Sequence, residues 1–285
     1  MAAHGAATGA APSAGMMLEA HVAAETDKGR KRGNNEDRLL VFDLKRQREL
    51  SAVKTEVVSL RPRGVLLVVA DGMGGMSAGE TASQMTVENF LTSYLDRSEP
   101  PPSAVVTDED RRNALTEAVR DTNALVYARA SAEKGLKGMG TTLTAAVIEG
   151  DHMFVAQVGD SRAYLLRDGE LKQLTRDQTL LASLAEKGAL PQGSNAQWKN
   201  MLLQAVGAQA DVQVALTETS LQPGDRLMLC SDGLHGPVNN DEILEAMRSD
   251  ARPEERAKAL VARANENGGP DNISVVVCDV FEARP

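Results

Sequence analysis

Apolar positions along the chain fall into short runs punctuated by turn residues, interrupted twice by long stretches of helical spacing. Leu18–Thr26, Arg38–Asp43, Ser51–Leu60 and Gly64–Ala70 read as strands, the last joined to its predecessor by Arg61-Pro62-Arg63. Val65–Ala70 is apolar throughout, as a strand buried on both faces should be. Ser77–Asp96 follows with Ala82, Met85, Val87, Phe90, Leu91 and Leu95 at the spacing of one broad helical face. Glu99–Asp110 holds three prolines and reads as a loop, and Asp110–Lys134 reads as a second long helix. Strands then resume. Thr141–Ile148 and Met153–Val158 flank Glu149-Gly150-Asp151, and Arg162–Leu166 and Leu171–Leu174 flank Arg167-Asp168-Gly169-Glu170, two hairpin signals. Gln178–Gly188 predicts a short helix, Asp211–Thr219 and Asp225–Cys230 two strands, Asp241–Arg248 and Pro253–Glu266 two helices, and Ile273–Val280 a last β-branched strand.

Strands cluster and helices come in pairs between them. That is not the alternation of a parallel sheet with crossover helices. The pattern predicts an α+β fold, a four-layer α-β-β-α sandwich of two antiparallel sheets packed face to face with helices outside.

Composition narrows the chemistry. The 285 residues are 42% hydrophobic and 25% charged, with aromatics at only 3%, so the core must rest on aliphatic side chains. The net charge of −9 argues against nucleic acid or anionic membrane as a partner. An acidic protein handles phosphate only with cations or a local arginine to reverse the sign. Cys230 and Cys278 lie in apolar strand-like runs and read as buried thiols, not as a disulfide framework. No apolar run is long enough to span a membrane. Residues 1–16 are rich in alanine and glycine, lack the character of a signal peptide, and are expected to form a disordered tail. Together these features suggest a cytoplasmic protein.

Four segments stand out: Arg32-Gly33-Asn34-Asn35-Glu36-Asp37-Arg38, Ala70-Asp71-Gly72-Met73-Gly74-Gly75, Cys230-Ser231-Asp232-Gly233 and Gly268-Gly269-Pro270-Asp271-Asn272. Each sets an aspartate at the tip of an apolar strand. Singly, Asp-Gly and Pro-Asp are turn dipeptides. Four of them on strands that must pack together can converge at one edge of a sandwich. Converged carboxylates repel one another unless cations sit between them. Mg²⁺ or Mn²⁺ suits oxygen ligands, and two such ions can activate a shared water as the nucleophile. The glycines of Asp71-Gly72 and Gly74-Gly75 are expected to take positive φ and bring the backbone close to an ion. No Gly-x-Ser-x-Gly elbow and no convincing Cys/His pair offers a protein nucleophile.

These segments, in this order, together with Gly138-Met139-Gly140-Thr141-Thr142, Val158-Gly159-Asp160-Ser161-Arg162 and Leu174-Thr175-Arg176-Asp177, resemble the bacterial branch of the type 2C metal-dependent serine/threonine protein phosphatases. The resemblance runs from about Leu18 to Val280. It implies a catalytic domain over residues 17–283 that hydrolyses phosphoserine and phosphothreonine in proteins, reversing a bacterial Ser/Thr kinase. Carried over by position, Asp71 bridges two divalent cations, Asp37 and the Gly72 carbonyl hold one, and Asp232 and Asp271 hold the other. Glu36 acts through water and Arg32 grips the substrate phosphate, its guanidinium forking two donors onto phosphate oxygens. The Asp160–Arg162 segment reads as a structural turn, and Thr175–Leu190 as a variable flap beside the site.

The chain also departs from that pattern. An aspartate before the Gly-Met-Gly-Thr-Thr run often serves a third, weaker metal, and here the positions are Lys137 and Gly138. A second often lies four residues after the Ser-Asp-Gly aspartate, and here that residue is Gly236. Both departures fall on one site and speak against a standard third metal. Lys137 either reaches toward Asp232 in place of that cation or is an exposed loop residue. Where a histidine often follows Asp-Gly-Met-Gly-Gly, this chain has Met76, which leaves His235 as the histidine nearest a motif, either a proton donor or a surface-loop residue. His4, His21 and His152 look incidental. The alternatives to a phosphatase are a phosphoprotein-binding pseudophosphatase, a two-metal nuclease, and an acidic sandwich without activity. A monomer is expected.

Overall fold

The computed structural model describes residues 17–74, 78–99, 106–189 and 201–283. The N-terminal tail reading and Met76 lie outside those residues, as do Gly75 and Leu190.

The first sheet is built from β1 (Leu18–Asp27), β4 (Glu56–Ser59), β9 (Arg162–Arg167), β10 (Glu170–Gln173), β12 (Arg226–Cys230) and β13 (Ile273–Glu282), in the order β10-β9-β12-β13-β1-β4. The second contains β2 (Asp37–Asp43), β3 (Arg48–Glu49), β5 (Val65–Met73), β7 (Leu143–Glu149), β8 (His152–Val158) and β11 (Ala215–Ser220), in the order β11-β8-β7-β5-β2-β3, and the short β6 (Gly140–Thr141) pairs with the end of β5. The strand pairs are antiparallel.

Strand periodicity divides the core into layers. On β5, Val65, Leu67 and Val69 point between the sheets, while Leu66 and Val68 point to the opposite face. That opposite face is covered by α1 (Ala78–Ser98) and α2 (Asp108–Ala132), which contribute Phe90, Tyr94, Leu115 and Val119 to the same cluster. On β13, Val276, Cys278 and Val280 face the inter-sheet core, and Ile273, Val275 and Val277 face α5 (Asn240–Arg248) and α6 (Pro253–Glu266). A side-chain period of two thus lets a continuously apolar strand feed two cores at once. The sequence-predicted four-layer sandwich is the observed arrangement.

Helix ends follow their local chemistry. Thr107 and Asp110 form a reciprocal capping box at the start of α2, Asn239 and Glu242 do the same for α5, and Pro253 opens α6. Arg256, 1% exposed, pairs with Asp279 and anchors α6 to β13. Both cysteines are buried free thiols.

Two strand boundaries differ from the sequence reading. Ser51–Leu60 is extended only over Glu56–Ser59, because Ala52 takes a left-handed φ of 50° while its carbonyl accepts a 2.7 Å bond from Ala24. The strand expected from Asp211 begins at Ala215. A short helix, α4 (Asp232–His235), stands where an Asp-Gly turn was expected.

Antiparallel pairing decides where the aspartates go. Asp37 opens β2 and is the direct partner of Asp71 near the end of β5. Cys230 closes β12 opposite Val275 near the start of β13. The start of one strand therefore lies beside the end of its neighbour in both sheets, and all four motif segments reach one rim. The loop between β1 and β2 crosses from one sheet to the other along that rim and carries Arg32 and Glu36.

Candidate metal centre

Asp37 is 2% exposed. Its Oδ2 accepts a 2.8 Å hydrogen bond from the Ser231 hydroxyl, while its Oδ1 is buried without a hydrogen-bond partner. Burial pushes its carboxyl up to about 7, and Asp232 and Asp271 push the same way against the pull of the Ser231 and Ser274 hydroxyls. Asp71 is half-buried and held well above the ordinary carboxylate range, first by burial and then by Asp37, Asp232, Asp160 and Asp271. Its main chain is pinned: the amide donates to Thr142 Oγ1 at 2.9 Å, and the carbonyl accepts from Thr141 Oγ1 at 2.8 Å and from the Thr142 amide at 2.9 Å. The Gly138–Thr142 run thus acts as a backbone brace for Asp71.

Gly72 is required for space and not for φ. It does not adopt positive φ, contrary to expectation, but a side chain there would strike the carbonyl oxygens of Gly79 and Glu36. Asp232 begins α4, its Oδ1 is also buried and unpartnered, and burial followed by Asp271 raises its carboxyl. Asp271 Oδ1 accepts from the Asn272 amide at 2.8 Å, and its Oδ2 accepts from Arg32 at 2.6 Å. The Arg32 side chain is 52% exposed, free at its outer side.

Asn272 orders the approach. Its side-chain amide donates to the Lys28 and Asn34 carbonyls at 2.9 and 2.8 Å, and its Oδ1 accepts from the Glu36 amide at 2.8 Å. The residue just before the last strand therefore fixes the loop that presents Arg32 and Glu36. A cavity of about 240 Å³ lies between these groups, lined by Arg32, Glu36, Asp71, Gly72, Asp232 and Asp271 among others. All seven sequence-predicted site residues thus lie at this rim, six lining the cavity and Asp37 beneath it beside Asp71.

The sequence profile of protein phosphatase 2C matches residues 54–271. The chain belongs to the protein phosphatase 2C family. It is 38% identical over 270 residues to the serine/threonine protein phosphatase PstP of Mycobacterium tuberculosis, covering 94% of this chain and 46% of PstP, so it spans less than half of that relative. It is 34% identical over 261 residues to the serine/threonine phosphatase stp of Listeria monocytogenes, covering 91% of this chain and 95% of stp. Among solved structures, the catalytic domain of PstP in complex with two manganese ions superposes with a TM-score of 0.72 at 36% identity, covering 93% of this chain and 99% of that one.

In this protein phosphatase 2C fold, Asp160 lies in the turn between β8 and β9 as its sequence reading expected, and it is also 7% exposed and lines the cavity together with Asp232. Burial and then Asp232 push its carboxyl up to about 7. Its sequence context gave no signal beyond the Gly-Asp dipeptide, because its neighbour Asp232 lies 72 residues away. His235 is not a surface-loop residue. It sits half-buried on α4 with Nε2 3.0 Å from the Asp160 carbonyl oxygen, and burial, aided by Arg162, lowers its pKa to about 4. A carbonyl can only accept, so Nε2 carries a proton, and the lowered pKa favours the neutral ring at pH 7. Lys137 is exposed and lines none of the described cavities.

Asp108, His152 and Glu218 bring three ligand-type atoms within 4.8 Å of one another, but far from this rim, beside the β7–β8 turn at the opposite end of the second sheet. Arg111 already pairs with Asp108 at 3.1 Å and Arg112 with Glu218 at 2.6 Å.

Proposed function

We propose that this chain hydrolyses phosphoserine and phosphothreonine monoesters in proteins, with two divalent cations, Mg²⁺ or Mn²⁺, held at the carboxylate rim. The observation that carries the reading is the pair of buried, unpartnered oxygens, Asp37 Oδ1 and Asp232 Oδ1, on two acids that both act on Asp71. A buried polar atom without a partner is costly, and buried carboxylates so close together favour hard cations as the missing partners. The donor set fits: Asp71 between two ions, Asp37 and the Gly72 carbonyl toward one, Asp232 and Asp271 toward the other, and Glu36 acting through water. Bound there, the cations would lower the pKa of a shared water and offset the charge of the phosphate.

The chain's own residues do the rest. Arg32 is anchored at one end by Asp271 and open to solvent at the other, so its remaining donors suit two phosphate oxygens. Asn272 keeps the Arg32 loop in register with the metal ligands. Thr141 and Thr142 hold the Asp71 backbone still, and Ser231 fixes the orientation of Asp37. Cys230 is a buried thiol pushed up to about 12, unsuited to act as a nucleophile.

The intact carboxylate set favours a working enzyme over a pseudophosphatase. We assign the catalytic unit to residues 17–283 and infer that it acts as a cytoplasmic monomer opposing a Ser/Thr kinase. Among the described residues, no helix is long and apolar enough to cross a membrane. The test is phosphate release from phosphothreonine and phosphotyrosine peptides with Mn²⁺. Release from the former, abolished by chelator and by Asp71→Asn, is expected; chelator-resistant release or none would refute the reading.

A further inference from the structure

Beside the metal cavity lies a second, larger one of about 490 Å³. The two share Asp160, Asp232 and Asp271 as common walls. The far wall is α3 (Leu180–Glu186), which turns Leu181, Ala182 and Ala185 toward the space. The floor is acidic. Asp160, 93% buried, lines both cavities, and among the described contacts its carboxylate meets no donor from another residue's side chain or backbone. Arg162 also lines the space, but its guanidinium is committed to both oxygens of Asp177 at 2.8 and 2.7 Å and to the Tyr164 hydroxyl at 2.9 Å. With Asp232 and Asp271 given to cations and Arg162 paired with Asp177, Asp160 is the acid of this cavity without an ion-pair partner among the described residues.

The wall is held in place from both sides. Thr179 caps α3 and bridges to Leu202, while the Leu180 amide donates to Met201 at 2.9 Å and the Leu203 amide to Gln178 at 2.8 Å. The Gly159 amide donates to Gln178 Oε1 at 2.7 Å. The cavity thus has an apolar side and, at the bottom, a buried carboxylate that no other described residue pairs.

We propose that this cavity receives a lysine or arginine side chain of the phosphoprotein substrate, within about two residues of the phosphorylated one, each residue of extended chain spanning ~3.4 Å. An aliphatic stem would lie against Leu181 and Ala182, and the cationic head would reach Asp160, the division such side chains adopt when they bury their stems and keep their charge paired. A glutamate in the same place would meet Asp160 as a like charge. The inference rests on the phosphatase reading and specifies its substrate class.

The experiment compares kcat/KM on phosphothreonine peptides carrying Lys, Ala or Glu at each of the two positions on either side of the phosphoresidue, in the 285-residue chain with saturating Mn²⁺. At one position, Lys is expected to exceed Glu by about tenfold or more, with Ala between. Ala185 is exposed on α3 and lines the cavity. Ala185→Lys should bring the Lys-to-Glu ratio at that position to about one or below, and Ala185→Glu should increase it. Because each ratio is taken within one preparation, loss of fold or of metal does not imitate the effect. Equal turnover of all three peptides, or a ratio indifferent to both Ala185 variants, would overturn the proposal while leaving the phosphatase reading intact. Failure to release phosphate from the Ala peptides and from an aryl phosphate would instead remove the phosphatase reading, and the cavity's role with it.

Discussion

Asp37 and Asp71 are direct cross-strand partners in β2 and β5, two acids side by side where a sheet ordinarily avoids like charges. Placed there, they make the protein's stability depend on what lies between them. Asp37 is raised from an ordinary carboxylate value to about 7 in the folded chain. A raised folded pKa means the folded state binds more protons than the unfolded state across that window. In chelator, stability is therefore whole near pH 4 with respect to this group, falls as pH rises toward 7, and stays low above it. Linkage puts the loss from Asp37 at about 4 kcal/mol as an upper figure. Thermal melts in chelator should show a lower midpoint at pH 8 than at pH 5, and Mn²⁺ should restore it at pH 8. A midpoint that rose between pH 5 and 8 without metal would contradict this.

Asp71→Asn removes the central acid while preserving shape. Loss of the proposed bridging ligand should cost about a thousandfold or more in kcat, ~4 kcal/mol of transition-state stabilisation. The same change relieves repulsion with Asp37, so the chelator-treated variant should melt higher than wild type at pH 8 and gain less from Mn²⁺. Parallel phosphatase assays and melts separate a dead active site from a broken fold.

Much of this was legible in the sequence, for definite reasons. A continuously apolar Val65–Ala70 needs two buried faces, and two sheets with outer helices supply them. Strand-tip aspartates needed only antiparallel pairing to converge, and so Asp37, Asp71, Asp232 and Asp271 are where they were expected. Asp160 and His235 were less legible because their surroundings come from distant segments: Asp160 is defined by Asp232, and His235 by the Asp160 carbonyl. Of the two readings of Lys137, the structure shows an exposed residue after a short 3-10 turn. Gly72 shows a subtler shift, with the expected residue at the expected place but close packing against Gly79 and Glu36 as the reason for it.

Arg32 can be separated from the proposed metal ligands by its charge geometry. Arg32→Ala should raise KM for a phosphopeptide by about tenfold or more, and Arg32→Lys should recover only part of that, because an ammonium cannot fork onto two oxygens. Melting in Mn²⁺ should change little, since the Arg32 side chain is half exposed. Full activity in Arg32→Lys would show that charge alone suffices.

His235 offers the opposite expectation. Its neutral ring and its bond to the Asp160 carbonyl leave no acidic proton available near pH 7. His235→Ala should therefore lose less than about tenfold on an activated aryl phosphate, whose leaving group needs little protonation. The pH–rate profile should keep its shape. A loss as large as that of Asp71→Asn, or the disappearance of one limb of the profile, would make His235 the proton donor.

Asn272 joins stability to function most tightly. It is 5% exposed and satisfies the Lys28 and Asn34 carbonyls and the Glu36 amide at once. Asn272→Ala would leave those three main-chain groups without that partner, at a cost of about 2–4 kcal/mol. The same loss frees the Arg32–Glu36 loop, so Mn²⁺ affinity should weaken and KM should rise even where the protein remains folded. Asn272→Asp keeps an acceptor for Glu36 but deletes both donors and adds a charge beside Asp271, so it should be the more damaging change in chelator. Urea midpoints in chelator, paired with Mn²⁺ titrations, decide the matter. If Asn272→Ala lowered the midpoint and left Mn²⁺ affinity and KM unchanged, the loop would be held by other contacts, and Asn272 would be a stabilising residue alone.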